Sequence, residues 1–133
     1  MTHKVFVYGT LKEGFGNNAL LRDATFVSRG CTVQPYLMLD TGGFPVVFQD
    51  PAKHNVSGEV YEVDDATLAQ LDRLEGHPSF YERKEITVDL GDTGIQDTCW
   101  MYFGNVSAGS WGRRSLPEVS VQPDGSYNWR AGA

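Results

Sequence analysis

Asp64-Asp65-Ala66-Thr67-Leu68-Ala69-Gln70-Leu71-Asp72-Arg73-Leu74-Glu75-Gly76-His77-Pro78, residues 64–78, is the one stretch of this chain that reads as a helix of ordinary length. Leu68, Leu71 and Leu74 recur at helical spacing and define an apolar stripe. Asp64 or Asp65 stands where a side-chain acceptor caps the first turn, and Gly76-His77-Pro78 is a stop signal. The helix is therefore expected over residues 65–75. The flanking segments are punctuated differently. Lys4–Tyr8 is dense in β-branched and aromatic residues and halts at Gly9, as a buried strand does. Asn17–Leu21 reads as one short helical turn with an asparagine cap. Residues 25–39 hold two or three strands, and Gly42-Gly43 then breaks the chain. Phe44–Phe48 resumes at a sheet edge, where Pro45 is tolerated. His54–Val63 is a further strand. Past the helix, Tyr81–Leu90 and Ile95–Phe103 flank Gly91-Asp92-Thr93-Gly94 as a hairpin. The prediction is an α+β fold: a small, mostly antiparallel, barrel-like sheet with one principal helix.

Composition bounds what such a fold can do. A chain of 133 residues, with 41% hydrophobic and 21% charged residues, suits a single globular domain over residues 1–133. Fifteen glycines fit many tight turns between short strands. From Gly104 onward the pattern weakens: Ser107–Ser110 is small and polar, Leu116-Pro117 opens another segment, and Pro123-Asp124-Gly125 is a turn before Tyr127 and Trp129. Residues 104–133 are therefore read as a C-terminal extension of the domain. A formal charge of −6, with basic residues gathered at most into doublets such as Arg113-Arg114, argues against a nucleic-acid partner. The chain contains no apolar run long enough to span a bilayer, and Met1–Lys4 leads straight into the first strand without a signal-peptide core. No membrane partner and a cytoplasmic location are expected. In that compartment Cys31 and Cys99, which lack CxxC spacing, read as reduced and structural.

Two places can carry chemistry. At about 100° per residue, Glu75 falls on the apolar stripe between Leu68 and Leu71, at the helix C-terminus. There, desolvation and the negative end of the helix dipole both raise a carboxyl pKa from about 4.3 toward neutrality, as a general acid/base needs. Periodicity equally allows Glu75 to lie on a frayed last turn and point to water. Tyr8-Gly9-Thr10-Leu11 is the second place. A glycine turn leaving a buried strand can aim successive backbone N–H groups at one spot and hold an anion, or it can be a plain β-turn. Tyr81, Tyr102 and Phe44-Pro45 either line a pocket or belong to the core and a strand start. His3, His54 and His77 have no metal-ligand spacing, and no metal site is expected. Cys31 with a histidine is not supported as a thiol nucleophile by any motif.

Taken together, three ordered motifs resemble one family. Val5-Phe6-Val7-Tyr8-Gly9-Thr10-Leu11-Lys12, followed by Gly14 and Asn17, is similar to the opening of the γ-glutamylcyclotransferase-like (AIG2-like) family. Gly58-Glu59-Val60-Tyr61-Glu62-Val63 resembles its next strand. Leu71–Pro78, followed by Tyr81 and Arg83, resembles its helix and catalytic glutamate segment. The likeness covers about residues 4–103 and thins after Gly104. Within the family, the short chain and its Tyr-Gly-Thr-Leu-Lys opening look most like the γ-glutamylamine cyclotransferase branch. The resemblance implies Glu75 as acid/base, with Tyr8, Gly9, Thr10, Leu11 and Tyr81 binding substrate. It implies ring closure of a γ-glutamyl amine or amide to 5-oxoproline with release of the amine, and no metal or cofactor. The partner is then a small γ-glutamyl molecule, and the oligomeric state is left open. A non-catalytic protein that captures a small anion in the same pocket is the alternative.

Overall fold

A ring of five strands organises the computed structural model, which describes residues 2–91, 93–105 and 116–129. Strands β1 (Thr2–Val7), β2 (Thr25–Thr32), β5 (Asn55–Asp64), β6 (Tyr81–Leu90) and β7 (Ile95–Gly104) are hydrogen-bonded in the order β1-β7-β6-β2-β5, and β5 returns to β1. The closing pair is antiparallel, with Val5 opposite Tyr61. β6 and β7 form the hairpin read from the sequence, from Tyr81↔Gly104 to Leu90↔Ile95. β1 meets β7 in parallel at Val5↔Trp100. β3 (Leu37–Asp40) and β4 (Pro45–Phe48) make a separate antiparallel pair, so Pro45 does start a strand with one hydrogen-bonded neighbour. β8 (Ser126–Tyr127) adds to β5 in parallel. The expected α+β fold, a mostly antiparallel barrel with one principal helix, is what forms.

Burial explains why β1 lacks alternation. Val5, Phe6 and Val7 are all buried. Phe6 joins the interior cluster with Val60, Val88 and Met101, whereas Val5 and Val7 join a second cluster with Leu68 and Leu71 of helix α1 (Asp65–Glu75). A strand covered on both faces reads as a continuous apolar run. β6 is covered on one face for much of its length, so Ile86, Val88 and Leu90 alternate with exposed Glu85, Thr87 and Asp89.

The barrel wall is tight where β5 crosses β1. A Cβ on Gly58 would collide with the Val7 carbonyl oxygen and lie 2.8 Å from Phe6 Cζ. Neither the backbone oxygen nor the wall can yield without moving β1. Gly58→Ala is expected to cost on the order of 3 kcal/mol of stability, read as a lower urea midpoint. An unchanged midpoint would contradict this packing.

Helix α1 starts and stops as the sequence indicates. Asp64 is the cap, its Oδ1 accepting from the Thr67 N–H at 2.7 Å, and Gly76 ends the helix in a left-handed conformation at φ 66°. Two details differ from the reading above, and a third falls within the range it allowed. Leu68 and Leu71 are buried, but Leu74 is 43% exposed, so the packed stripe has two leucines. Residues 25–39 hold β2 and the start of β3, two strands. The Gly16–Leu21 turn is a 3-10 helix whose cap position is Phe15, and no side chain caps it. Ser107–Ser110 and Arg113-Arg114 lie outside the described residues. Among the described residues no helix is long and apolar enough to cross a membrane.

Candidate active site

A pocket of about 290 Å³ opens where the segment after β1, the start of β4 and the C-terminal turn of α1 converge. All six residues singled out from the sequence, Tyr8, Gly9, Thr10, Leu11, Glu75 and Tyr81, line it. Tyr102, Phe44 and Pro45 do so too, and Asn17, Leu74 and Phe80 are part of the same wall. Leu74 is thus the exposed leucine at the edge of a cavity, which helical spacing alone does not reveal.

Glu75 is drawn into this cavity by its place on the last turn of α1. Burial pushes its carboxyl pKa up to about 7. Tyr8 and Tyr81 are raised as well, by burial first and then by the charges of their neighbours, Glu75 included. Each of the three pocket tyrosines has its hydroxyl proton committed elsewhere. Tyr8 donates to the Tyr102 carbonyl at 2.7 Å, Tyr81 to the Pro45 carbonyl at 2.8 Å, and Tyr102 to Asp72 Oδ1 at 2.6 Å. Asp72 also accepts from Arg83 Nε at 2.8 Å. Burial works against the Asp72 charge, but these two hydrogen bonds hold its pKa below the ordinary value. Arg83 in turn lies over the Trp100 ring at 4.4 Å. This chain ties the last turns of α1 to β6 and β7 behind the pocket.

In the turn after β1, three successive carbonyls are each taken up by a donor from the residues that follow. The Gly9 carbonyl accepts from the Lys12 N–H at 3.0 Å and the Thr10 carbonyl from the Asn17 N–H at 3.1 Å. The Leu11 carbonyl accepts from Asn18 Nδ2 at 2.8 Å. The amides of Thr10 and Leu11 donate to none of the described residues. Asn17 and Asn18 therefore staple the turn rather than cap a helix. Lys12, 7% exposed, anchors it from below, with Nζ donating to Asn128 Oδ1 and to the Trp129 carbonyl, both at 2.9 Å. Gly9 does not have positive φ. Its missing side chain instead makes room for Pro45, whose Cγ and Cδ would both lie 2.8 Å from a Cβ there.

The remaining candidates lie elsewhere. His3 pairs with Asp65, His77 Nδ1 accepts from the Arg83 N–H, and His54 packs edge-on against Tyr127. Cys31 and Cys99 are free thiols, their pKa values raised by burial, that of Cys99 to about 11. Among the described residues no three His, Cys, Asp or Glu side chains cluster as a metal would require.

In this closed barrel one carboxyl of near-neutral pKa shares a small pocket with two backbone amides that donate to none of the described residues. Residues 5–128 match the family model described as gamma-glutamyl cyclotransferase, AIG2-like, and the chain belongs to that family. The gamma-glutamylaminecyclotransferases of Rattus norvegicus and Mus musculus are each 38% identical to it over 125 residues, 84% of this chain and 83% of theirs. The crystal structure of an AIG2-like protein from Mus musculus superposes with a TM-score of 0.74 at 32% identity, covering 99% of both chains.

Proposed function

We propose that this pocket closes the γ-glutamyl group of an amine or amide substrate into 5-oxoproline and releases the free amine, with Glu75 moving the protons. The observation that carries the reading is a half-buried carboxyl with a pKa of about 7 that shares a small pocket with the amides of Thr10 and Leu11, which donate to none of the described residues. In the reaction the substrate's α-amine attacks its own γ-carbonyl carbon. A C–N bond forms within a five-membered lactam, and the bond from that carbon to the departing nitrogen breaks. Nucleophile and electrophile belong to one molecule, so folding the γ-glutamyl arm supplies much of the acceleration. Two protons leave the α-nitrogen and two arrive on the departing amine, and one carboxyl can carry each in turn.

The other wall residues suit the same substrate. With their protons committed to backbone carbonyls, the Tyr8 and Tyr81 oxygens act as acceptors, which is what an α-ammonium group needs beside Glu75. The Thr10 and Leu11 amides suit its α-carboxylate. Here a carboxyl tuned toward neutrality favours turnover over mere capture. We also assign a cytoplasmic setting, for which the free thiols speak.

Incubation with a panel of γ-glutamyl amines and γ-glutamyl amides, with mass detection of 5-oxoproline, tests the reaction and identifies the leaving amine. The pH dependence tests the residue. Glu75 must start as the carboxylate, so kcat/KM should rise with pH through about 7 and then level. A profile already flat from about pH 5 upward would remove Glu75 as the base.

A further inference from the structure

We infer that Asn17 is a positioning residue that turns the Thr10 hydroxyl into a hydrogen-bond donor for the substrate's α-carboxylate. The inference rests on the cyclotransferase reading above. A threonine hydroxyl has one proton and two lone pairs, and its proton goes wherever the neighbouring groups do not supply one. Asn17 contacts Thr10 twice, with its backbone N–H on the Thr10 carbonyl at 3.1 Å and Nδ2 on Thr10 Oγ at 2.9 Å. The first contact fixes the backbone of the turn. The second occupies an Oγ lone pair with an amide donor, so the hydroxyl proton is directed away from Asn17.

Elimination within the pocket gives that proton its importance. The hydroxyl protons of Tyr8, Tyr81 and Tyr102 are held by a backbone carbonyl, a second backbone carbonyl and Asp72. Thr10 is left as the pocket hydroxyl that donates to none of the described residues, next to amides that also donate to none. Three donors, the Thr10 and Leu11 N–H groups and the Thr10 O–H, thus belong to two consecutive residues. A carboxylate, which only accepts, matches such a set, and a charged acceptor makes each of these bonds a strong one. The carboxylate is present in the ground state as in the transition state, so losing the hydroxyl donor should raise KM and leave kcat nearly as it was.

A double-mutant cycle tests this, with KM and kcat for a γ-glutamyl amine, the affinity for 5-oxoproline and Tm measured for each variant. Thr10→Val keeps the shape and removes the hydroxyl. It should raise KM by roughly 10-fold or more, the loss of one hydrogen bond to a charged group. Asn17→Ala should raise KM by a similar factor, Thr10→Ser, which restores the hydroxyl, should recover most of the affinity lost in Thr10→Val, and the Thr10→Val/Asn17→Ala double variant should be no worse than the poorer single one. An unchanged KM in Thr10→Val overturns the proposal however Asn17→Ala folds. Additive losses overturn it too, because Asn17 would then act on the ligand without Thr10. So does an Asn17→Ala that lowers Tm alone, the result for a purely structural role. The wild-type chain separates this from the underlying reading: if it releases no 5-oxoproline, the cyclotransferase assignment fails. A turning-over wild type with a Thr10→Val of equal KM sinks the Asn17 proposal alone.

Discussion

Glu75→Gln is expected to slow 5-oxoproline release by about 10²-fold or more while the protein stays folded. Glutamine keeps the size of the side chain and its hydrogen-bonding capacity, and loses the proton that titrates. The folded protein should even gain stability above neutral pH. Burial raises the folded pKa of Glu75 to about 7, above the ordinary carboxylate value it has in the unfolded chain. Between those two values the folded state binds more protons than the unfolded one, so wild-type stability falls as pH rises through that window. The glutamine variant lacks this slope, and its Tm advantage over wild type should grow from about pH 5 to about pH 8. A variant with near-normal turnover would take Glu75 out of the mechanism.

Gly9→Val is expected to abolish measurable binding of a γ-glutamyl ligand. The added Cβ would meet Cγ and Cδ of Pro45 at 2.8 Å, and a proline ring has no rotamer that clears the space. Either the start of β4 or the turn must move. Both form the pocket, one as wall and the other as the bearer of the Thr10 and Leu11 amides. Stability should drop as well, because Val46 and Val47 follow Pro45 directly and are fully buried. Calorimetric titration of the fraction that remains folded reads the outcome. Intact affinity there would refute the role assigned to the turn.

How far the site can be read from the chain depends on the range of the interactions that form it. The limits of α1 and the β6–β7 hairpin were legible because an Asp cap, a Gly stop and a Gly-rich turn act over three or four residues. The ring of strands followed from their patterning and from the family likeness. Leu74 was misplaced because helical spacing gives a direction around the axis but not what stands opposite. In this protein that is a cavity, and the same cavity is what separates the two readings left open for Glu75. The Asn17 contact with Thr10 gave no periodic signal. It joins residues seven apart through a loop, and an Asn-Asn pair before a short helical turn has a ready explanation as a cap. The Tyr8–Tyr102–Asp72–Arg83 chain spans most of the sequence, and only the closed barrel brings it together.

Ring closure also sets the order in which this protein can become functional. β1 leads the chain, yet its partners are β5, at residues 55–64, and β7, at residues 95–104. β1 must therefore wait for β5 before it pairs at all and for β7 before its place in the ring is complete, and such sequence-distant pairing is slow to form. Hairpin β6–β7, by contrast, can zip locally as soon as it emerges. Thr10, Leu11 and their stapling asparagines all hang from the end of β1 and are assembled only once that strand docks. Recovery of ligand binding during refolding should accordingly lag behind the recovery of sheet signal, making the pocket a reporter of the final docking step.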